Sequence, residues 1–373
     1  MKKILILSSS FKFYDTFLKP IEKTLLKKNN EVYVLTNFPK STNIQNIKRY
    51  KSIRISRKIK IIDDLISILH FLFYLAVINP KLIITSTPKG AIFGIVSKLL
   101  FFWKRRIHIY TGVTWSNKSG IKKNLLKTID RINFIFSNEI FFDGLNQINF
   151  FKDNNFNIQK CKLISNGSIK GVDTNKFYSN LNTYIDFRRK NSLNNNDKIL
   201  LYMGRIDKEK GIVFLIDCFE EIYSKYKNII LVICGSLEID LINIVKKKDF
   251  NIYNRIFIIN HTDEPEKIFQ VADILCLPSE REGFGNVVIE ASSCCLPVVG
   301  SDINGLKDSL IENVNGLKYR LNDKNNFISI ILDLLNDSNL RINLGEKGRE
   351  FILQKFKEDK VLSDLSDMIE SNL

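Results

Sequence analysis

Glu282 and Glu290 stand eight positions apart, with Gly283-Phe284-Gly285-Asn286-Val287 between them. The Gly-Phe-Gly turn leaves backbone N–H groups free where a helix begins, and such groups, with the helix dipole, attract an anion. Glu282 falls in the loop. Glu290 falls on the helix, inside the apolar run Val287-Val288-Ile289-Glu290-Ala291. A carboxylate there is costly to bury unless donors reach it, and a pair of sugar hydroxyls would suit. A structural Glu paired with a neighbouring base would give the same pattern. Earlier in the chain stands Met203-Gly204-Arg205-Ile206-Asp207-Lys208-Glu209-Lys210-Gly211, a strand end, a charged loop and a helix start. Arg205 can fork onto phosphate oxygens and Lys210 can act as a point charge beyond the strand. The pattern G-x-x-x-x-G-K-[ST] is absent, and alone the segment also reads as a solvated charged turn.

The elements that must position these residues follow one rhythm. Strands are expected at 4–8, 32–36, 82–85, 107–111, 140–143 and 161–164. Helices are expected at 13–28, 62–78, 90–101, 122–134 and 144–152. The rhythm restarts with strands at 198–203, 229–234, 256–259, 274–277 and 297–300, and helices at 212–226, 238–248, 265–271 and 286–294. From 325 onward the chain reads as helical. This βαβ alternation implies two doubly wound, Rossmann-like α/β domains facing a cleft, with ligands at the carboxyl ends of the strands. The expected divisions are a domain over 1–170, a linker over 171–197, a second domain over 198–355, and a last helix over 356–373 that crosses back to the first domain.

With 373 residues, 45% hydrophobic and 26% charged, the chain has the profile of a globular protein and excludes disorder, collagen and a small disulfide scaffold. The first 180 residues hold 31 Lys/Arg against 10 Asp/Glu, net +21; the remainder hold 25 against 30, net −5. Such a field suits an anionic membrane or a phosphorylated substrate, although a Lys- and Asn-rich compositional habit accounts for the same excess. No zinc-finger spacing, RNP motif or heptad-backed basic helix points to nucleic acid. The six cysteines form no C-x-x-C pair, and with three histidines no metal-ligand cluster is visible, so no metal is expected and the thiols read as reduced and cytosolic. Leu65–Ile78 is too short to span a bilayer and reads as a buried or interfacial helix. Leu99-Leu100-Phe101-Phe102-Trp103 runs into Lys104-Arg105-Arg106, which suits a membrane surface or an ordinary packed helix end.

Together the two charged motifs resemble those of the retaining glycosyltransferases of family 4, with the GT-B fold. The segments Ser86-Thr87-Pro88-Lys89-Gly90, Arg106 to Trp115 and Asn166 to Phe177 look like the bacterial capsule and O-antigen subgroup. The resemblance therefore covers most of the chain. It implies that Gly204, Arg205 and Lys210 hold the donor diphosphate, that Glu282 contacts the donor sugar and Glu290 the ribose, and that Gly283, Phe284, Gly285, Asn286 and Val287 hold sugar and phosphate through their backbone. It implies catalytic roles for Glu282, Arg205 and Lys210. It also implies a nucleotide diphosphate sugar as substrate, no cofactor or metal, and a polyprenyl-diphosphate-linked saccharide as acceptor at the inner face of the cytoplasmic membrane.

The sequence departs from the family in two places. The glycine-rich loop after the first strand is replaced by Ser8-Ser9-Ser10-Phe11-Lys12, which puts Ser9, Ser10 and Lys12 on the expected acceptor side. The His-Gly of many relatives is replaced by Thr111-Gly112, with His108 three residues earlier as the candidate catalytic histidine. Two rivals stay open: another GT-B reaction, such as sugar-nucleotide epimerisation or phosphorolysis, and a non-catalytic module that binds membranes or polyanions.

Overall fold

Short runs of aliphatic residues alternate with amphipathic helices along the chain, and nearly every run becomes a parallel strand. The computed structural model describes residues 1–39, 49–56, 60–194 and 196–373. These divide into two units, Met1–Lys170 with Asp359–Leu373, and Gly171–Glu358.

The first unit is built on β1 (Lys3–Leu7), β2 (Glu31–Thr36), β3 (Tyr50–Ser52), β4 (Leu82–Ser86), β5 (Arg105–Tyr110), β6 (Glu139–Phe142) and β7 (Cys161–Leu163), in the order β3-β2-β1-β4-β5-β6-β7. Ile4 pairs with Val32 on one side and Leu82 on the other, so chain direction across the sheet reverses between β1 and β4. Strand alternation sends Ile4 and Ile6 to one face, and Leu5 and Leu7 to the other. Ile4 and Ile6 pack in a cluster with Leu25, Val361, Leu365 and Ile369, the last three from the helix Glu358–Glu370. Leu5 and Leu7 pack with Phe71, Leu75 and Phe93 of the helices Ile61–Ile78 and Thr87–Leu100.

The second unit repeats the plan with β8 (Lys198–Met203), β9 (Ile229–Cys234), β10 (Ile256–Ile259), β11 (Ile274–Leu277), β12 (Val298–Ser301) and β13 (Gly316–Tyr319), in the order β10-β9-β8-β11-β12-β13. Here the reversal lies between β8 and β11, where Leu200 pairs with Ile274 and Leu201 with Leu275.

Three expectations about elements need correction. The stretch 171–197 is not a linker: Val172 and Phe177 are buried in the second unit's core, and the helix Leu181–Lys190 is capped by Asn180 and carries Phe187 against that core. Its polar composition hid it, because only one side is covered. The helix expected over 13–28 is broken into Phe11–Phe13, a π-helical turn Tyr14–Leu18 and Lys19–Lys27. Pro20 has no N–H to donate and its ring crowds the preceding turn, which widens. The helix expected over 238–248 shortens to Leu241–Lys246, because the Asp240 side chain caps Asn243 N at 3.2 Å and fixes a later start.

Leu365 is fully buried on the first unit's sheet although it lies at the far end of the sequence. Leu365→Ala should destabilise that unit by about 2–5 kcal/mol, measured as the shift of its urea transition.

Candidate functional site

The first charged motif leaves β8 at Gly204 and closes on itself before the helix Ile212–Lys225 begins. Asp207 caps the turn Lys208–Lys210, its carboxylate accepting from Lys210 N at 3.0 Å. Gly211 then takes φ +71°, and a side chain there would sit 2.0 Å from the Pro278 carbonyl oxygen at the end of β11. Only glycine meets both demands. This close approach sets the first motif beside the second, and Glu280 N donates to Glu209 O at 2.9 Å across the same seam.

The side chains meet where the backbones do. Lys210 Nζ lies 2.6 Å from Glu282 Oε1, both side chains largely buried, and also donates to the Arg281 carbonyl at 3.1 Å. Ser279 Oγ donates to the same Glu282 oxygen at 2.7 Å. Arg205 Nη1 is held by Asp207 at 2.8 Å and Glu238 at 3.1 Å. The Tyr202 hydroxyl donates to the Arg205 carbonyl at 2.6 Å; burial, with Glu282 and Asp207 nearby, pushes its pKa well up. Behind Glu282, the loop after β12 presents Gly305, where a Cβ would fall 2.1 Å from the Glu282 carbonyl oxygen.

Gly285 caps the helix Asn286–Ser293. The Phe284 ring is buried against Phe356, 5.5 Å between centroids, and its carbonyl accepts from Ser309 Oγ at 2.5 Å. Phe284 thus fastens the loop to the core through its ring and leaves the loop's backbone to line the strand ends. Glu290 is half-buried on that helix. Arg205, Lys210, Glu282 and the 283–287 backbone are therefore gathered at the carboxyl ends of β8 and β11, where this sheet reverses. Sequence reasoning passed over Ser279, Glu238 and Asp207 as partners. Asp207, three residues before Lys210, carried a readable N-cap signal. Glu238 carried none, since its partner Arg205 is distant in sequence, and Ser279, although only three residues before Glu282, sits in an irregular loop where no capping pattern marks it.

In the first unit, Ser9, Ser10, Thr111 and Gly112 follow the carboxyl ends of β1 and β5. Ser9 is buried, and its Oγ lies 2.7 Å from Oγ1 of Thr87, which opens the helix directly after β4. Ser10 caps the turn Phe11–Phe13, accepting from Phe13 N at 3.4 Å, and Lys12 is exposed. Gly112 N donates to Gln147 Oε1 at 2.9 Å.

His108 is a correction. Its ring is 1% exposed within β5, with Nδ1 2.8 Å from Thr85 Oγ1 and its centroid 4.6 Å from that of Tyr110 in an edge-to-face arrangement. Burial, with Arg106 beside it, holds its pKa well below the usual imidazole value. Enclosed in this way, the ring is not open to a substrate in this structure. His108 belongs to a buried polar chain: Arg106 Nη2 reaches Ala91 O at 3.2 Å and the Asn133 side chain, Asn133 donates to Tyr110 OH at 2.9 Å, and Asp130 accepts from Tyr110 OH at 2.9 Å and Trp115 Nε1 at 2.7 Å. Among the described residues, no group of three or more His, Cys, Asp or Glu is placed to hold a metal ion, and all six cysteines are free thiols.

Residues 184–351 match the family model described as glycosyl transferases group 1. The chain is 28% identical over 355 residues to the capsular polysaccharide biosynthesis glycosyltransferase CapM of Staphylococcus aureus, covering 92% of this chain and 90% of that one. It is 27% identical over 205 residues to the UDP-Gal:alpha-D-GlcNAc-diphosphoundecaprenol alpha-1,3-galactosyltransferase of Escherichia coli, about half of either chain at 53% and 52%. In structure it is similar to HepE of Anabaena in complex with UDP-glucose, with a TM-score of 0.83 at 16% identity and all of both chains covered. The structural likeness shows the GT-B fold of two Rossmann-like α/β domains, and the matches in sequence support a glycosyltransferase.

Asp130 supplies a test of the buried chain. Burial raises its pKa from 3.8 to about 6, although the Trp115 and Tyr110 bonds oppose the rise. The folded state therefore holds this proton more tightly than the unfolded state. Its contribution is complete below pH 3.8 and lost as pH rises through about 6. Asp130→Asn should flatten that loss, read from urea midpoints followed by the emission of buried Trp115 across the interval.

Proposed function

We propose that this chain is a retaining, metal-independent glycosyltransferase of family 4. It moves a hexose or N-acetylhexosamine from a nucleotide diphosphate sugar, most simply a UDP-sugar, to a hydroxyl of a polyprenyl-diphosphate-linked sugar during surface polysaccharide synthesis at the inner membrane face. The observation that carries the reading is the contact of Lys210 with Glu282, which joins the two charged motifs at the strand ends. Support comes also from the Escherichia coli relative, whose name gives both a UDP-sugar and a diphosphoundecaprenol sugar, and from the UDP-glucose bound by HepE, which shares the fold.

The chemistry follows from charge. Breaking the bond between C1 and the phosphate oxygen leaves an oxocarbenium-like sugar and a diphosphate gaining negative charge. Lys210, Arg205 and the N–H groups opening the helix at Asn286 would stabilise that charge, supplying what a divalent cation would otherwise supply. Lys210 lies against Glu282, so a diphosphate that draws Lys210 to itself also releases the Glu282 carboxylate towards the donor's hydroxyls. Because Glu282 is assigned to hydroxyls and not to C1, no covalent glycosyl-enzyme forms. The acceptor oxygen attacks from the face the diphosphate leaves, and its proton passes to the departing phosphate.

Lys210→Ala should lower turnover by about 100-fold or more with an unchanged circular dichroism spectrum; near-normal turnover in that variant would remove the phosphate assignment. EDTA should leave activity unchanged, and a rate restored only by added divalent metal contradicts the mechanism. The matching UDP-sugar at 100 times its Kd should add about 2.7 kcal/mol of stability, visible as a thermal shift across a panel of nucleotide sugars.

A further inference from the structure

Three neighbouring helices of the first unit turn apolar side chains outward. Crossovers from β3 to β4, β4 to β5 and β5 to β6 put the helices Ile61–Ile78, Thr87–Leu100 and Gly120–Phe136 on one face of the sheet. The first two share a core through Phe71 and Phe93, 5.6 Å between rings, and an ion pair of Lys89 with Asp64 at 2.6 Å. The middle helix packs against the third.

The outer surface of this layer is unusual for a protein in water. On the first helix Ile61, Ile62, Leu65, Leu69, Phe73 and Val77 are each between 59% and 74% exposed, and five of them recur every fourth residue as a ridge along its length. The end of the middle helix and its exit add Leu99, Leu100, Phe102 and Trp103. The third helix adds Ile121, Leu125 and Ile135. Water-facing groups of this size and continuity mark an interaction face.

We propose that this face docks flat on an anionic phospholipid bilayer, its apolar ridges seated at the headgroup–acyl boundary. The occupant is chosen by charge. Every ionisable side chain that the third helix turns outward is basic, including Lys122, Lys123 and Arg131, while its one acid, Asp130, is buried among Tyr110 and Trp115. The two acids of the first helix are paired, Asp64 with Lys89 and Asp63 with Lys60 at 3.6 Å. The first helix is 18 residues long and apolar enough to cross a membrane, yet Phe71, Leu75 and Ile78 are buried against the sheet, so it lies on the bilayer and does not cross it. The choice of a bilayer rests partly on the transferase reading, whose acceptor is lipid-linked. The face and its charges stand without it.

The test uses the full chain and vesicles of phosphatidylcholine with and without phosphatidylglycerol. Trp115 is fully buried and Trp103 is 60% exposed, so quenching of emission by brominated acyl chains reports Trp103. Sedimentation with the anionic vesicles alone, weakened by salt and accompanied by quenching, is the expected result. The double variant Leu69→Glu, Phe73→Glu should bind those vesicles at least about tenfold more weakly, and Lys122→Gln with Lys123→Gln should weaken binding and reduce its salt dependence. Both should keep the thermal shift given by UDP-sugar, which shows that the fold and the donor site survive. Absence of binding to either vesicle, or binding unaffected by the Glu variants, overturns the proposal. So does light scattering that shows a dimer which Leu69→Glu, Phe73→Glu dissociates, since the face is then an interface between copies. A chain that binds vesicles but no nucleotide sugar would keep this face and lose the transferase reading; the opposite result would do the reverse.

Discussion

The register of β8 against β11 governs the candidate site. In a parallel sheet the strand ends all point one way, and where the order reverses, two neighbouring ends are left with their crossover helices on opposite faces. Leu200 opposite Ile274 fixes how far each strand runs before its loop begins. A slip of one residue would reverse the facing of every side chain on β11 and carry Pro278 away from Gly211. The salt contact of Lys210 with Glu282 depends on that register, and the capped turn at Asp207, the packed ring of Phe284 and the close approach of Gly305 all serve to keep it.

The first unit has the same geometry with different chemistry. Its reversal lies between β1 and β4, and there the bond across the seam joins two hydroxyls, Ser9 and Thr87, where the second unit has an ion pair. Charge instead sits deeper, on the fully buried guanidinium of Arg106. Desolvation lowers its pKa to about 9, and its Nε and Nη1 find no hydrogen-bond partner among the described residues. A Cβ on Gly94 would collide with this group, so the helix above it depends on glycine for its approach.

Most strands were legible because parallel strands buried on both faces read as plain aliphatic runs, as in Ile229–Cys234. The charged motifs were legible because turn chemistry and charge coincide at Gly204–Gly211 and Glu282–Asn286. What failed were features decided by distant partners. His108 looked accessible from its place near a strand end, but whether a strand residue meets solvent depends on its neighbours, here Thr85 and Tyr110. The three-residue β3 carries no periodicity long enough to read and exists by pairing with Val34, Leu35 and Thr36. The helix Leu181–Lys190 is polar on most sides and is held by the Arg188 bonds to Asp197 O at 2.9 Å and to the Asn194 carbonyl.

The first unit is discontinuous in sequence, and this sets an order for its making. Residues 171–358 form one uninterrupted body, whereas the sheet cluster of Ile4 and Ile6 is completed only by Val361, Leu365 and Ile369. A chain emerging from the ribosome at about 5–20 residues per second therefore has its second unit whole before its first. During that interval the sheet face carrying Ile4 and Ile6 is covered by Leu18, Ile21 and Leu25 but still lacks the apolar side chains of Val361, Leu365 and Ile369.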